Sequence, residues 1–473
     1  MLHIALAAPV SPTVVAFHRG AKQWSALIPN FRRSRGIGSS VFSSSLRKRL
    51  QLRFFASGEN GGNGGVLEEI SEAEKEPTNF AWPDNKKPRV CILGGGFGGL
   101  YTALRLESLE WPDDKKPQIV LVDQSERFVF KPMLYELLSG EVDEWEIAPR
   151  FSDLLANTSV QFFKDRVKVL NPSDHWGMNG SKASSCGGTV HLESGLLIEY
   201  DWLVLALGAE AKLDVVPGAI EFAIPFSTLE DARVLSSRKV ELLLGYFVRC
   251  IRRLSDLESS DPLTGVDENS TEVVPDFEKY ILELQPAERG MQSKIIEADL
   301  VLWTVGTKPP LPQLEPSDEP FVIPLNARGQ AETDETLRVK GHPRIFALGD
   351  SSALRDSNGR ILPATAQVAF QQADFTGWNL WAAINGRPLL PFRFQNLGEM
   401  MTLGRNDAAI SPSFIDGLTL EGSIGHTARK IAYLIRLPTD EHRLKVGISW
   451  LTKSAIDSVS SLQSTLYKVL SGS

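Results

Sequence analysis

Gly94, Gly96 and Gly99 stand at G-x-G-x-x-G spacing, and Asp123 follows Gly99 by 24 positions. The chemistry these residues could do is the binding of a dinucleotide. Glycines at such a turn let the backbone approach a pyrophosphate at a helix N-terminus, where unpaired N–H groups and the helix dipole favour negative charge. An acid about 20 residues further on suits a ribose hydroxyl. A second candidate is Ile345-Phe-Ala-Leu-Gly-Asp350, a strand pattern that ends in Gly-Asp and would by itself fit any strand and turn. Other chemistries find little support. The three cysteines, Cys91, Cys186 and Cys250, form no C-x-x-C pair, which removes the flavoenzymes that use a dithiol. The seven histidines show no metal-ligand spacing, so no metal site is expected.

These residues need elements to hold them. Val90 to Leu93 reads as an apolar strand, Leu100 to Leu109 as a helix and Gln118 to Asp123 as a second strand, which makes a βαβ unit. The stretches from Val160 to Tyr200 read as a β-rich excursion before a closing strand at Trp202 to Ala206. That closing segment, Asp201-Trp-Leu-Val-Leu-Ala-Leu-Gly208, has a twin in Asp299-Leu-Val-Leu-Trp-Thr-Val-Gly306. One dinucleotide-binding unit is thus closed twice but opened once. The only glycine between Gly218 and Gly265 is Gly245, without a partner at the required spacing. A second phosphate cradle is missing.

Composition frames the rest. A length of 473 residues allows about three domains, and no apolar run reaches the roughly 20 residues of a membrane span. The first acidic residue is Glu59, and residues 1–58 carry nine Lys or Arg among many serines. That composition predicts an organellar transit peptide, with a disordered basic tail as the alternative; plastid and mitochondrial signals are not distinguished. Without those nine charges the formal charge of -8 becomes -17, which argues against nucleic acid as a partner. Residues 59–88 read as a linker, with order expected from Arg89.

The two Gly-Asp and Gly-rich signals together resemble those of FAD-binding proteins. Leu362-Pro-Ala-Thr-Ala-Gln-Val-Ala-Phe-Gln-Gln372 resembles the A-Q-x-A-x-Q segment of type II (alternative) NAD(P)H:quinone oxidoreductases, and Phe130-Lys-Pro-Met-Leu-Tyr-Glu-Leu-Leu-Ser-Gly140 their flavin-facing loop. The resemblance covers residues 80 to 473 and is nearest to the plant chloroplast and mitochondrial C class. It implies an α/β fold with two Rossmann-like dinucleotide-binding domains in tandem, FAD as cofactor, NAD(P)H as electron donor and a membrane quinone as acceptor. Hydride passes to the flavin in that family and two electrons pass on to the quinone, without proton pumping; the flavin carries the chemistry. Carried over, Gly94, Gly96, Phe97, Gly98, Gly99 and Asp123 hold the ADP half of FAD, with Gly208 at the closing turn. Lys131 and Pro132 face the flavin, Asp350 its ribityl chain, and Ala366 and Gln367 its pyrimidine end. Gln367 and Gln371 border the quinone, although without the Gly-Asp context this segment would read as an ordinary amphipathic helix. Gly306 and Lys308 remain as the far wall of the NAD(P)H domain.

The resemblance also exposes a departure. After Ser227-Thr-Leu-Glu-Asp-Ala232 the family continues into the second strand-G-x-G-x-x-G-helix, whereas this chain passes to a late strand of that domain. The expected order is therefore a first FAD segment at 89–230, a remnant of the NAD(P)H domain at 231–325, a second FAD segment at 326–398 and a membrane-association region at 399–473. In that last region Leu444, Ile448, Leu451, Ala455, Val459, Leu462 and Leu466 make one helical stripe accompanied by Arg443, Lys445, Lys453 and Lys468. Such a helix lies in a membrane interface or packs on its own protein. The resemblance places the protein on a thylakoid or plastoglobule surface, in the mitochondrion, or both, with plastoquinone, a phylloquinone type or ubiquinone as acceptor; a homodimer stays open. Two other readings stand beside the enzyme: an FAD-binding membrane remnant with little NAD(P)H turnover, and a flavoprotein reductase of a protein electron carrier.

Overall fold

The computed structural model describes residues 14–17, 78–112, 114–173, 187–235, 241–242, 246–253, 280–286, 292–298, 300–304, 306–311, 313–314, 323–404, 406–415 and 417–471. Most of the expected transit peptide, with Cys186, Gly245 and Gly265, lies outside the described residues.

Five parallel strands form the first sheet, in the order Ile345–Ala347, Trp202–Leu205, Arg89–Leu93, Gln118–Asp123, Gln161–Lys164. A parallel sheet covered on both faces needs near-continuous apolar strands. Val90, Cys91, Ile92 and Leu93 accordingly have no exposed surface. Burial pushes the Cys91 thiol far above its usual range, so it stays a neutral core group. The strand from Ile345, more than 200 residues beyond the first, completes this sheet beside Trp202–Leu205 and brings Gly349 and Asp350 to the same edge as the glycine loop.

The helix that follows the loop, Phe97–Ser108, packs along the long helix Ala366–Ile384. Small residues make that approach close. A Cβ on Gly377 would lie 2.6 Å from the Arg105 side chain, and buried Thr102 donates to the carbonyls of Gly98 (2.8 Å) and Ala373 (3.4 Å).

The excursion between the second and closing strands is a second sheet, built on the antiparallel run Val167–Pro172, Gly188–Leu192 and Leu196–Tyr200. Its edge corrects the expected linker. Thr78–Asn79 pairs with Leu196 and Leu197, and Trp82 is buried and donates from Nε1 to the carbonyl of Glu199 at 2.7 Å. Ordered structure therefore starts before Arg89, because two aromatic residues, Phe80 and Trp82, give the polar stretch a place in the core.

The second unit is smaller. Ala223–Pro225 runs parallel to Leu300–Trp303, whose other neighbour is an antiparallel strand from the N-terminal segment, Val14–Phe17, followed by Glu241–Leu242. A three-stranded antiparallel sheet, Tyr246–Arg253, Tyr280–Pro286 and Lys294–Ala298, stands beside it.

Two helices end the chain, Gly422–Ile435 and Asp440–Ser471. No helix among the described residues is long and apolar enough to cross a membrane.

Candidate cofactor site

The glycine loop, the Asp123 turn, the Lys131–Pro132 loop, the closing turn at Gly208 and the Gly349–Asp350 turn surround one cavity of about 840 Å³. That is toward the upper end for small-molecule sites and suits a dinucleotide. Gly94, Gly96, Phe97, Gly98, Asp123, Lys131, Pro132, Gly208, Asp350 and Ala366 all line it. Gly99 stands behind the loop, where a Cβ would lie 1.7 Å from the carbonyl oxygen of Gly94.

The loop glycines divide into two kinds. Gly94 has φ +99° and no room for a side chain, since a Cβ would meet the carbonyl oxygen of Ala206 at 2.3 Å. The fold itself requires Gly94 and Gly99. Gly96 is different: it has φ -74°, and a Cβ there would meet no protein atom within 4 Å. Nothing in the protein demands glycine at 96, and the free space opens into the cavity at the N-terminus of a 12-residue helix whose cap makes no side-chain hydrogen bond. Free N–H groups at a helix N-terminus beside such a space are a setting that favours an anion.

Asp123 is held by the loop it serves. Its Oδ2 accepts from the Gly95 N–H at 2.6 Å and its Oδ1 from the Ser125 N–H at 2.7 Å. Burial raises its pKa, against the pull of those two donors and of Lys131. Asp350 is likewise raised by burial and opposed by Lys131, so this lysine sits electrostatically between the two acids of the cavity. Thr365 caps the long helix, accepting from the Val368 N–H at 3.3 Å, and lines the cavity.

The structure puts Gln367 and Gln371 outside this lining. Their amides hold a returning segment of backbone. Gln367 accepts from Leu397 N–H and donates to the carbonyl of Gly398, at 3.1 and 3.3 Å, while Gln371 accepts from Gln395 N–H and donates to its carbonyl, at 3.0 and 2.8 Å. Gly306 and Lys308 also stand apart from the lining; Gly306 accepts from Lys212 N–H, and Lys308 pairs with Asp214 at 3.2 Å. Ser227, Thr228, Leu229, Glu230 and Arg233, which sequence reasoning treated only as the start of the departure, close one side of the cavity. Arg233 is fixed there by Glu144 at 2.6 Å and Glu230 at 2.9 Å.

The segment Lys131–Ser139 is tied to the C-terminal helices by groups that sequence reasoning missed. Glu136 and Arg429 form an ion pair in which both side chains are essentially fully buried, and Arg429 also donates to the Tyr135 hydroxyl at 3.0 Å. Glu136 Oε2 and Arg429 Nε and Nη2 are buried with no hydrogen-bond partner. Removing one member strands the other charge, so Arg429→Met is expected to cost about 3–5 kcal/mol in urea unfolding, and the pair Glu136→Leu with Arg429→Met much less than either alone.

A second polar joint centres on Glu146, whose side chain is fully buried. It accepts from Ser449 at 2.6 Å and from Lys453 at 2.9 and 3.0 Å, and its carbonyl meets His442 Nε2 at 2.9 Å. Burial lowers the His442 pKa, which keeps the ring neutral. The C-terminal helix therefore docks through this polar joint together with fully buried Val446 and half-buried Trp450. Leu444, Ile448, Leu451 and Ala455 of the expected stripe are exposed, as is Ile456. The preceding helix buries Arg429 and His426, packs Tyr433 and Leu434 on the core and exposes Ile424, Ile431 and Ile435. The stripe members Val459, Leu462 and Leu466 have side chains outside the described residues.

A parallel sheet with a glycine loop, a distant Gly-Asp turn brought to the same edge and a second small nucleotide-type unit define a flavin- and pyridine-nucleotide-dependent oxidoreductase. Residues 88–253 and 266–373 match the model of the pyridine nucleotide-disulphide oxidoreductase family. The chain is 60% identical to the alternative NAD(P)H-ubiquinone oxidoreductase C1, chloroplastic/mitochondrial, of Arabidopsis thaliana, over an alignment of 532 residues that covers 98% of each. It is 38% identical to the demethylphylloquinone reductase NdbB of a Synechocystis strain, over 78% of this chain and 96% of that one. Its fold resembles NDH2 of Plasmodium falciparum, solved with NADH, at a TM-score of 0.55 and 13% identity over 78% of this chain and 98% of the other. The chain belongs to the pyridine nucleotide-disulphide oxidoreductase family, among its type II NAD(P)H:quinone oxidoreductases, which use FAD and NAD(P)H.

Proposed function

We propose that the chain is a peripheral membrane flavoprotein that passes two electrons to a membrane prenylquinone, and that it lacks the NAD(P)H phosphate cradle. The observation that carries the first part is Gly96, a glycine kept at a position that only a ligand in the cavity needs. Bound FAD supplies two-electron transfer between a nicotinamide donor and a quinone. The chain's own residues do the rest. The loop amides at the helix N-terminus receive the pyrophosphate, and Asp123 receives a ribose hydroxyl beside them. Lys131 and Pro132 bound the ring end, and the Gly349–Asp350 turn faces the linking chain.

The missing cradle has support of its own. An alignment of 532 residues against a chain of 473 leaves residues of the Arabidopsis relative without a counterpart here. The late strand Leu300–Trp303, moreover, is flanked by an antiparallel N-terminal strand where a further parallel strand of a nucleotide-binding sheet would run. This favours, as the second reading, a chain that binds FAD yet turns over NAD(P)H poorly.

Quinone is preferred to a soluble protein carrier because of the outer faces of the C-terminal helices. Exposed apolar stripes on two adjacent helices, with Lys430, Arg436 and Lys445 among them, suit a lipid interface. The relatives named for ubiquinone and demethylphylloquinone point the same way, and the 60% identical one is named for chloroplast and mitochondrion. Residues 1–58 would then be the targeting peptide, whose removal would take Val14–Phe17 away and leave that side of Leu300–Trp303 open, and a homodimer is one form the membrane-bound protein could take.

The membrane part is tested on vesicles containing anionic lipid. The chain without residues 1–58 should sediment with them, and a version ending at His442 should remain in the supernatant. Salt should detach the longer chain only in part, because apolar burial and charge both contribute. Equal sedimentation of the two versions would remove the helix from the reading.

A further inference from the structure

Asp350 reaches the cavity from a very short 3-10 turn, Gly349–Ser351, whose own closure is the carbonyl of Gly349 accepting from the Ser352 N–H at 3.1 Å and from the Ser352 hydroxyl at 3.2 Å. Gly349 sits in the left-handed region at φ +61°. Its N–H donates at 2.6 Å to Oε1 of Gln372, a side chain only 1% exposed on the helix Ala366–Ile384. On the other side of the turn, Gln330 Nε2 donates to the Asp350 carbonyl at 3.2 Å, and Ala331 N–H donates to the Ser351 carbonyl at 2.8 Å. Gln372 is absent from the cavity lining. It is also the one glutamine of Gln367, Gln371 and Gln372 whose amide meets the cavity's own backbone instead of the 395–398 segment.

We propose that Gln372 is a positioning residue for the cofactor: by accepting the Gly349 N–H it fixes the direction in which Asp350 enters the cavity. The proposal rests on the reading of that cavity as the FAD site. The physical case is one of scarce alternatives. An amide N–H left without an acceptor costs up to about 1–3 kcal/mol where water does not replace the partner, and Gly349 is only half-buried, so the turn would rotate toward another partner or solvent, and a change at Gly349 passes straight into the neighbouring Asp350. A Cβ at 349 would already stand 3.2 Å from the Ala369 Cβ, so the backbone has little room to settle elsewhere with Asp350 unmoved. Burial keeps the Gln372 amide dry, which strengthens the bond and makes its loss costly.

The test separates positioning from plain stability. Gln372→Leu removes the acceptor at similar size, and Gln372→Glu keeps an acceptor in place. Asn379→Leu serves as the control. Asn379 is buried on the same helix and bonds the carbonyls of Thr336 and Leu390 at 3.0 and 2.9 Å, away from the cavity, so its loss should destabilise without touching Asp350. FAD is stripped from each full-length variant and titrated back by flavin fluorescence, and the flavin midpoint potential is measured on the reconstituted protein. Gln372→Leu should raise the FAD dissociation constant about tenfold and shift the potential, while Gln372→Glu should recover part of the lost affinity, its potential left aside because of the added carboxyl, and Asn379→Leu should stay within about twofold of the parent. FAD affinity and potential unchanged in Gln372→Leu would overturn the proposal, as would an equal loss in Asn379→Leu, which would reduce the effect to stability. A parent chain that takes up no FAD would overturn the reading of the cavity itself, and with it this proposal.

Discussion

Gly96→Val should yield a folded protein that no longer carries flavin. No protein atom lies within 4 Å of where the new Cβ would stand, and the backbone at φ -74° accepts any residue, so the thermal midpoint of the apoprotein should move by no more than a few degrees. The added carbons instead occupy the cavity where backbone must meet pyrophosphate. FAD affinity should fall by on the order of 100-fold or more, read as the loss of visible absorbance after gel filtration. Gly94→Ala and Gly99→Ala give the opposite pattern. Their Cβ atoms would collide with the Ala206 and Gly94 carbonyls, so both variants should lose fold and flavin together. A Gly96→Val protein with unchanged flavin absorbance would end the assignment of this loop.

The second large effect concerns the electron donor. Dithionite should bleach bound FAD readily, because its site is built from residues 94–131 and 348–369 with the closing turn at 206–210. NAD(P)H should reduce it slowly and without saturating. The sequence between Gly218 and Gly265 holds no G-x-G-x-x-G for the nicotinamide nucleotide, and Gly306 and Lys308, the expected remnants, stand apart from the cavity. A version in which the strand-G-x-G-x-x-G-helix is restored after Ala232 should regain rapid, saturable reduction in anaerobic stopped-flow. Fast saturable bleaching of the chain as it stands would show that the segment is dispensable.

Much of the cofactor site could be read from the sequence, because its parts are local. A glycine turn between an apolar strand and a helix, an acid at the end of the next strand and a strand ending in Gly-Asp each announce themselves within ten residues, and the parallel sheet joins them. What stayed hidden depends on pairings between distant segments. Nothing within the A-Q-x-A-x-Q pattern shows that Gln367 and Gln371 are engaged by backbone 24 to 31 positions later, or that the adjacent Gln372 turns the other way to Gly349. Trp82 looked like part of a polar linker because its core partners lie more than 100 residues on. Helical periodicity proposes the C-terminal stripe, of which Leu444, Ile448, Leu451 and Ala455 are exposed, yet it cannot say which side of a helix its own protein takes. Glu146 decided that, and a lone glutamate in a short helix carries no signal of burial.

The exposed face of the last two helices has an evolutionary side. Leu444, Ile448, Leu451 and Ile456 are between 56% and 73% exposed, so more than half of their surface meets water in the folded chain too. Folding gains much less from their being apolar than it does from a buried side chain. Selection for a stable protein therefore acts on them only weakly, and drift would replace them with polar residues at little cost to the fold. On the proposed membrane reading, a lineage that ceased to need the lipid contact should erode that face first, while Arg429, Glu136 and Glu146 endured.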